Sequence, residues 1–347
     1  ERFRITINNT LKIKDLKQTV TKYKNIYENG RYFDLIGSSK QMQSVYQVIS
    51  SAAASKATVF ITGESGTGKE LCARAVHQAS NRADKPFVAL NCAAIPKDLI
   101  ESEIFGHLKG AFTGAIANRL GAAGQADGGT LFLDELCEMD INLQSKLLRF
   151  IQTGTYQQVG SEKQVKVDVR FVCATNRNPL AEVEAGRFRE DLYYRLHVIP
   201  IELPPLRERG RDIIEIAQAL FIKIAKEEQH PYKGITDDVK HFLAQYDWPG
   251  NVRQLENVIR NILVLNPQEW IDVSMLPALP QSPQKESGNE GQVKEQHTSL
   301  AVQEFEELPQ VESEVKALWV AEKEYIERVI KICATNIPKA AALLDVS

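Results

Sequence analysis

"TVFITGESGTGKE", residues 58–70, decides the fold. Its first half is an apolar, β-branched run that reads as a buried strand. Its second half, Gly63-Glu64-Ser65-Gly66-Thr67-Gly68-Lys69, is a glycine-rich loop, and "ELCARAVHQAS" continues from Glu70 with helical spacing. Strand, loop and helix in that order build a phosphate cradle. Glycines let the backbone wrap closely, so that its N–H groups point at phosphate oxygens. Lys69 adds a positive charge, and the helix start adds its positive dipole end. The general motif closes on Ser or Thr, whose hydroxyl binds Mg²⁺. Here that position is Glu70, a second candidate for the ion, directly or through water.

Outward from this loop, "PFVALN" (86–91), "GGTLFLDE" (128–135) and "VRFVCATN" (169–176) are further strand-like runs. Helical patterns alternate with them from residue 34 to 205. Such alternation predicts an α/β fold, a parallel sheet with helices on both faces. "GGTLFLDE" ends in two acids: Asp134 would hold Mg²⁺, and Glu135 would polarise an attacking water. The alternative for this pair is an acidic helix cap. Asn176 would orient that water or sense the γ-phosphate. The cofactors expected are therefore ATP and Mg²⁺. "GRFREDLYYRL" offers Arg187, Arg189 and Arg195 as sources of positive charge for the transition state, and "GNVRQL" offers Arg253; for each the alternative is a surface ion pair. From 206 to 280 the pattern becomes wholly helical, as in "DIIEIAQALFIKIAKEE", which predicts an all-α domain after the α/β one.

Composition sets outer limits. The chain has 347 residues, 43% hydrophobic and 25% charged, with formal net charge -3. This is ordinary globular material, and the bulk charge excludes a general polyanion binder. No run is long and apolar enough for a membrane span, so no membrane partner is expected. Five cysteines, Cys72, Cys92, Cys137, Cys173 and Cys333, form no CxxC pair and read as reduced, buried thiols of a cytoplasmic protein. The histidines lack paired spacing, and no zinc site is expected. Residues 1–33 read as a helical linker continuing from something upstream. Residues 281–313, rich in Gln, Glu, Ser and Pro, read as flexible linker. Order returns in "VKALWVAEKEYIERVIKICA" (315–334).

Taken together, "GESGTGKE", "FGHLKGAFTGA", "GGTLFLDE", "GRFREDLYYRL", "LPPLRERGRDI" and "WPGNVRQLENVIRN" resemble the central AAA+ domain of bacterial enhancer-binding proteins, the activators of sigma-54 RNA polymerase. Within that family, "ERFRITINNTLK" and "CAAIPKDLIESEIFGHLKGAFTGA", with "FLDELCEMD", resemble the quorum-sensing response regulators. The resemblance spans about residues 34–280, and Glu70 is usual in the family. It implies an ATPase that forms a ring, commonly a hexamer, with ATP between subunits. Arg189 and Arg195 would project from the neighbour as fingers, and Arg253 would read the nucleotide in cis. Ile36 and Gly37 would line the adenine pocket, and Asn91 would restrain Glu135 until the target engages. The end of the chain, 314–347, resembles the opening of a Fis-type helix-turn-helix that stops before its reading helix, so enhancer-DNA binding by this chain is expected to be weak or nil. An upstream receiver, fed by a histidine phosphotransfer protein, is expected to be missing.

The resemblance also explains Gly110-Ala111-Phe112-Thr113-Gly114-Ala115. Gly110 and Gly114 break a helix, each at about 1 kcal/mol relative to alanine. An exposed loop tip would follow, with Phe112 and Thr113 gripping sigma-54 as ATP turnover moves them; the alternative is a turn whose phenylalanine packs inward. Tyr32 and Phe33, just ahead of Ile36, would either fold over the adenine pocket and slow ATP entry or anchor the linker to the core. A rival reading is a nucleotide-gated DNA-binding regulator that does not remodel sigma-54. Such relatives tend to lose the loop or the catalytic acid, and both are intact here. A small-molecule kinase lacks an acceptor pocket.

Overall fold

A computed structural model of the chain describes residues 31–277. Most of the 1–33 linker, the 281–313 segment, the 314–347 helix-turn-helix and Cys333 lie outside the described residues.

Five strands form the centre: β1 (Val59–Thr62), β2 (Phe87–Asn91), β3 (Thr130–Asp134), β4 (Arg170–Thr175) and β5 (Ile199–Glu202). They pair in the order β5-β1-β4-β3-β2, every neighbour parallel. Successive side chains of a strand face opposite ways, so each strand feeds two cores. Val59, Ile61, Phe132, Val172 and Ala174 face one, with α1 (Lys40–Ala52) and α2 (Lys69–Gln78) packed on it. Phe60, Leu131, Leu133 and Cys173 face the other, covered by α3 (Lys97–Phe105), α4 (Ala122–Gln125), α5 (Ile141–Thr153) and, beyond α6 (Pro179–Glu184), α7 (Glu190–Leu196). Burial on both faces is why these strands read as unbroken apolar runs rather than alternating ones. The register sets Asn91 opposite Asp134 and Thr175 opposite Thr62. The polar ends of four runs thus gather on the carboxyl edge of the sheet, where α/β folds place ligands.

The second core is the lid. In α8 (Asp212–Glu227), Ile213, Ile216, Ala217, Phe221 and Ile224 turn inward. In α10 (Asn251–Leu265), Leu255, Ile259 and Ile262 do the same, and α9 (Asp237–Gln245) adds Val239 and Leu243. Trp248 is fully buried among them and donates its indole N–H to the Leu243 carbonyl at 2.8 Å. The lid is not wholly helical: Gly234–Ile235 pairs in parallel with Trp270–Ile271. Two-residue strands carry no period, so the sequence pattern could not display them.

The four described cysteines are free and buried. Burial pushes the thiols of Cys72 and Cys92 up to about 12, which keeps them protonated and unreactive.

Candidate functional site: a phosphate loop, two acids and a lid

The loop leaves β1 at Thr62 and enters α2 at Lys69. Gly68 caps the helix at φ +99, with no side chain bonded to the helix start. The first N–H groups of α2 therefore keep their capacity for an anion. Lys69 is 7% exposed; its Nζ donates to the carbonyls of Gly63 (3.0 Å) and Glu64 (3.3 Å) and lies 3.7 Å from Glu135 Oε1. Thr67 is buried and folds its hydroxyl onto the Glu64 carbonyl at 2.8 Å. Glu70 stands exposed on α2 and accepts from Arg74 one turn on.

Asp134 closes β3, and its Oδ1 accepts the Glu135 N–H at 3.0 Å. Burial foremost, then the Glu135 carboxylate and more weakly that of Glu70, push the Asp134 carboxyl above its ordinary range; the Glu135 N–H and Lys69 pull the other way. Excess negative charge of this kind suits a divalent cation. No group of three or more ligating side chains exists among the described residues. Mg²⁺ needs none, because one or two carboxylates serve when phosphate and water complete the shell. Glu135 sits in the left-handed region at φ +49, and its Oε2 accepts the backbone N–H of Asn176 at 3.0 Å. Such a conformation costs on the order of 1 kcal/mol in a non-glycine residue and concentrates at functional sites. Asn176 thus reaches Glu135 through its backbone. Asn91 lies beside Asp134, but its side-chain oxygen accepts from Ala93 (2.9 Å) and Ala94 (3.2 Å) rather than meeting Glu135.

The lid closes over the loop through residues that motif reading alone did not single out. Arg207 grips the Glu64 carboxylate with both terminal nitrogens (2.9 and 2.5 Å) and holds it below the usual carboxylate range. Asn251, fully buried at φ +51, donates to Glu64 Oε2 and to the Ser65 carbonyl, each at 3.0 Å. Arg209, 3% exposed, donates to the Thr67 carbonyl at 2.8 Å. Asp212, at 0%, accepts the N–H groups of Ser38 and Ser39 (2.8 Å each) and the Ser39 hydroxyl (2.6 Å). It thereby ties the turn after Ile36-Gly37 to α8. Arg253 places a terminal nitrogen 2.9 Å from Ser65 Oγ. One signal was available in the sequence: charged residues and an asparagine in "LPPLRERGRDI" and "PGN" break the helical period where the lid joins.

The other arginines separate by partner. Arg187 is bonded twice to Glu182, and with Arg177 it holds that carboxyl down at about 2. Arg189 is bonded to Asp191 and to the Ser145 hydroxyl. Arg195 stands exposed at the end of α7, with no hydrogen bond or ion pair among the described residues.

The 110–115 stretch tips a hairpin made of Gly106–His107 and Arg119–Leu120. Gly110 and Gly114 take φ +83 and +108, and Gly110 N donates to the Ala115 carbonyl at 2.9 Å. Phe112 is half-buried, its ring edge-on to His107 with centroids 5.0 Å apart, whereas Thr113 is exposed. Ala111 is half-buried and Ala115 buried. Ile116, 83% exposed, extends the apolar tip beyond the motif. Nearer the start, Tyr32 is buried, stacked on Tyr46 at 5.1 Å and bonded to the Ser50 hydroxyl at 2.9 Å. Phe33 is 44% exposed at φ +52. Tyr32 therefore has the geometry of an anchor to the core, and Phe33 alone retains an outward face.

The sigma-54 interaction domain family matches residues 35–202, and the AAA+ ATPase lid domain family matches 207–292. The regulatory protein LuxO of Vibrio cholerae serotype O1 is 56% identical over 348 residues, which span 100% of this chain and 73% of that relative. The transcriptional regulatory protein ZraR of Escherichia coli K12 is 50% identical over 245 residues, 71% of this chain and 56% of ZraR. Among solved structures, NtrX from Brucella abortus in complex with ADP superposes with a TM-score of 0.66 at 32% identity, covering 100% of this chain and 73% of NtrX. The complex of NtrX with ATP has the same TM-score at 30% identity, covering 99% and 72%.

Proposed function

Because this chain belongs to the sigma-54-interacting AAA+ ATPases, we propose that its ATP turnover drives the 110–115 loop against a sigma-54 RNA polymerase holoenzyme and remodels the closed promoter complex. The chain is a P-loop ATPase of the sigma-54-dependent activators, similar throughout to the quorum-sensing regulator LuxO. The observation that carries the mechanism is Glu135, held in a left-handed conformation between Lys69 and the backbone of Asn176. There it is the general base for water, while Lys69 and the α2 N-terminus hold the phosphates. Asp134 would hold Mg²⁺, with Glu70 as a second candidate, and the bound ion would supply positive charge to the phosphates. Asn176 orients the water, and Arg253 senses the bound nucleotide through Ser65.

A ring of subunits would complete the site. Arg195, exposed and unpaired among the described residues, is the finger best placed to serve a neighbouring subunit; Arg189 would first leave Asp191. A heterologous interface that closes on itself lets each subunit's arginine serve the next. Phe112 is half-buried, with its ring edge-on to His107, and Thr113 stands in solvent, free to meet a partner. In the whole protein, a receiver addressed by a histidine phosphotransfer protein and an enhancer-binding helix-turn-helix would supply signal and address, in the cytoplasm. No helix among the described residues is long and apolar enough to cross a membrane.

Glu135→Gln is the test. It keeps the shape of the side chain and removes the base, so the variant should bind ATP and fail to hydrolyse it. Hydrolysis at the wild-type rate would remove Glu135 from the mechanism.

A further inference from the structure

Glu64 poses a chemical problem inside its own loop. A carboxylate cannot assist phosphate binding by touching the phosphates, since like charges repel at short range. Here it turns away from the cradle and into the lid. Arg207 meets it with a two-pronged fork at 2.9 and 2.5 Å, and Asn251 adds a third donor at 3.0 Å. The Asn251 amide is fully used: its oxygen accepts the Leu206 N–H at 2.8 Å, and its nitrogen serves both Glu64 and the Ser65 carbonyl. Asparagine tolerates the left-handed backbone that this position requires, φ +51, better than most residues do. The next lid residue, Val252, donates its N–H to the Gly66 carbonyl at 3.0 Å. The fit is close: a Cβ added to Gly66 would stand 2.4 Å from the Gly250 carbonyl oxygen.

We propose that Asn251 and Glu64 are positioning residues for nucleotide, forming with Arg207 a clasp that joins the phosphate loop to the lid so that the two move as one body. Consecutive lid residues hold consecutive loop residues, and Asn251 also accepts the Leu206 N–H. Phosphate pressing on the loop therefore turns the lid, and a displaced lid spoils the cradle. The clasp rests on the reading of residues 63–69 as the phosphate site.

The test uses the full chain and three readouts: ADP affinity, the KM and kcat of ATP hydrolysis, and the thermal midpoint without nucleotide. Glu64 is partly exposed, so Glu64→Ala should fold. Its ADP affinity should fall about tenfold, the worth of one charge-assisted hydrogen bond, with the ATP KM rising far more than kcat falls. Asn251→Asp sets a second carboxylate against Glu64 and should weaken ADP at least as much. Adding Glu64→Gln to it restores one donor–acceptor pair, the new amide donating to the new carboxylate, and should recover part of the loss. A purely structural role would move the thermal midpoint and leave ADP affinity and KM in place; that result overturns the clasp, as does failure of the double variant to recover. Lys69→Ala separates the two readings. If it loses ADP while Glu64→Ala binds normally, only the clasp falls; if Lys69→Ala binds normally, the phosphate-site reading falls with it.

Discussion

Asp134 carries the electrostatic tension of the site. Its carboxyl is half-buried and faces the charges of Glu135 and Glu70, so ionising it in the folded protein is harder than in the unfolded chain. A carboxylate with a raised folded pKa opposes folding at pH values above that pKa, and the opposition fades as the pH falls and the group protonates. Asp134→Asn keeps the acceptor for the Glu135 N–H and removes the charge. The nucleotide-free variant should therefore melt higher than wild type at neutral pH while losing Mg²⁺-dependent hydrolysis; a lower melting point would show that the ionised Asp134 carboxyl does not oppose folding. Arg195 gives the second prediction at this scale. A finger supplied to a neighbour is worth about 10³–10⁵ in rate, so Arg195→Ala should lose hydrolysis to that degree and keep ATP binding. An unchanged turnover would return it to the surface.

At the scale of elements, the strands and the phosphate loop were legible because burial on both faces writes an unbroken apolar run, and the loop's glycines write its backbone. Asp134 and Glu135 were legible because two acids directly follow such a run. The contacts of the lid were not. Arg207 and Glu64 are 143 residues apart in sequence, and nothing local in either stretch announces the other. Nor does "NGRYFDLIG" say which aromatic turns inward; the structure answers by stacking Tyr32 on Tyr46 and leaving Phe33 outside. Tyr32→Ala should thus cost about 3 kcal/mol of stability, as large-to-small core changes do, and Phe33→Ala should cost little. Calorimetry separates the two. An ATP KM unchanged in Phe33→Ala would dismiss an inhibitory role for the segment.

At the scale of the molecule, the proposed mechanism sets three parts in series: a sheet edge for phosphate, a lid bonded to the phosphate loop, and a hairpin tip with Thr113 and Ile116 in solvent. The tip belongs to the segment between α3 and α4, and both of these helices pack into the core on the β2–β3 side of the sheet. A shift at Asn91, Asp134 and Glu135 thus has a short mechanical route to the tip. That route is what distinguishes a remodelling machine from a nucleotide-gated switch. The most direct measurement is hydrolysis and promoter opening by Thr113→Ala in one reaction with sigma-54 holoenzyme. Hydrolysis kept and opening lost is the predicted result; opening at the wild-type level would contradict the account.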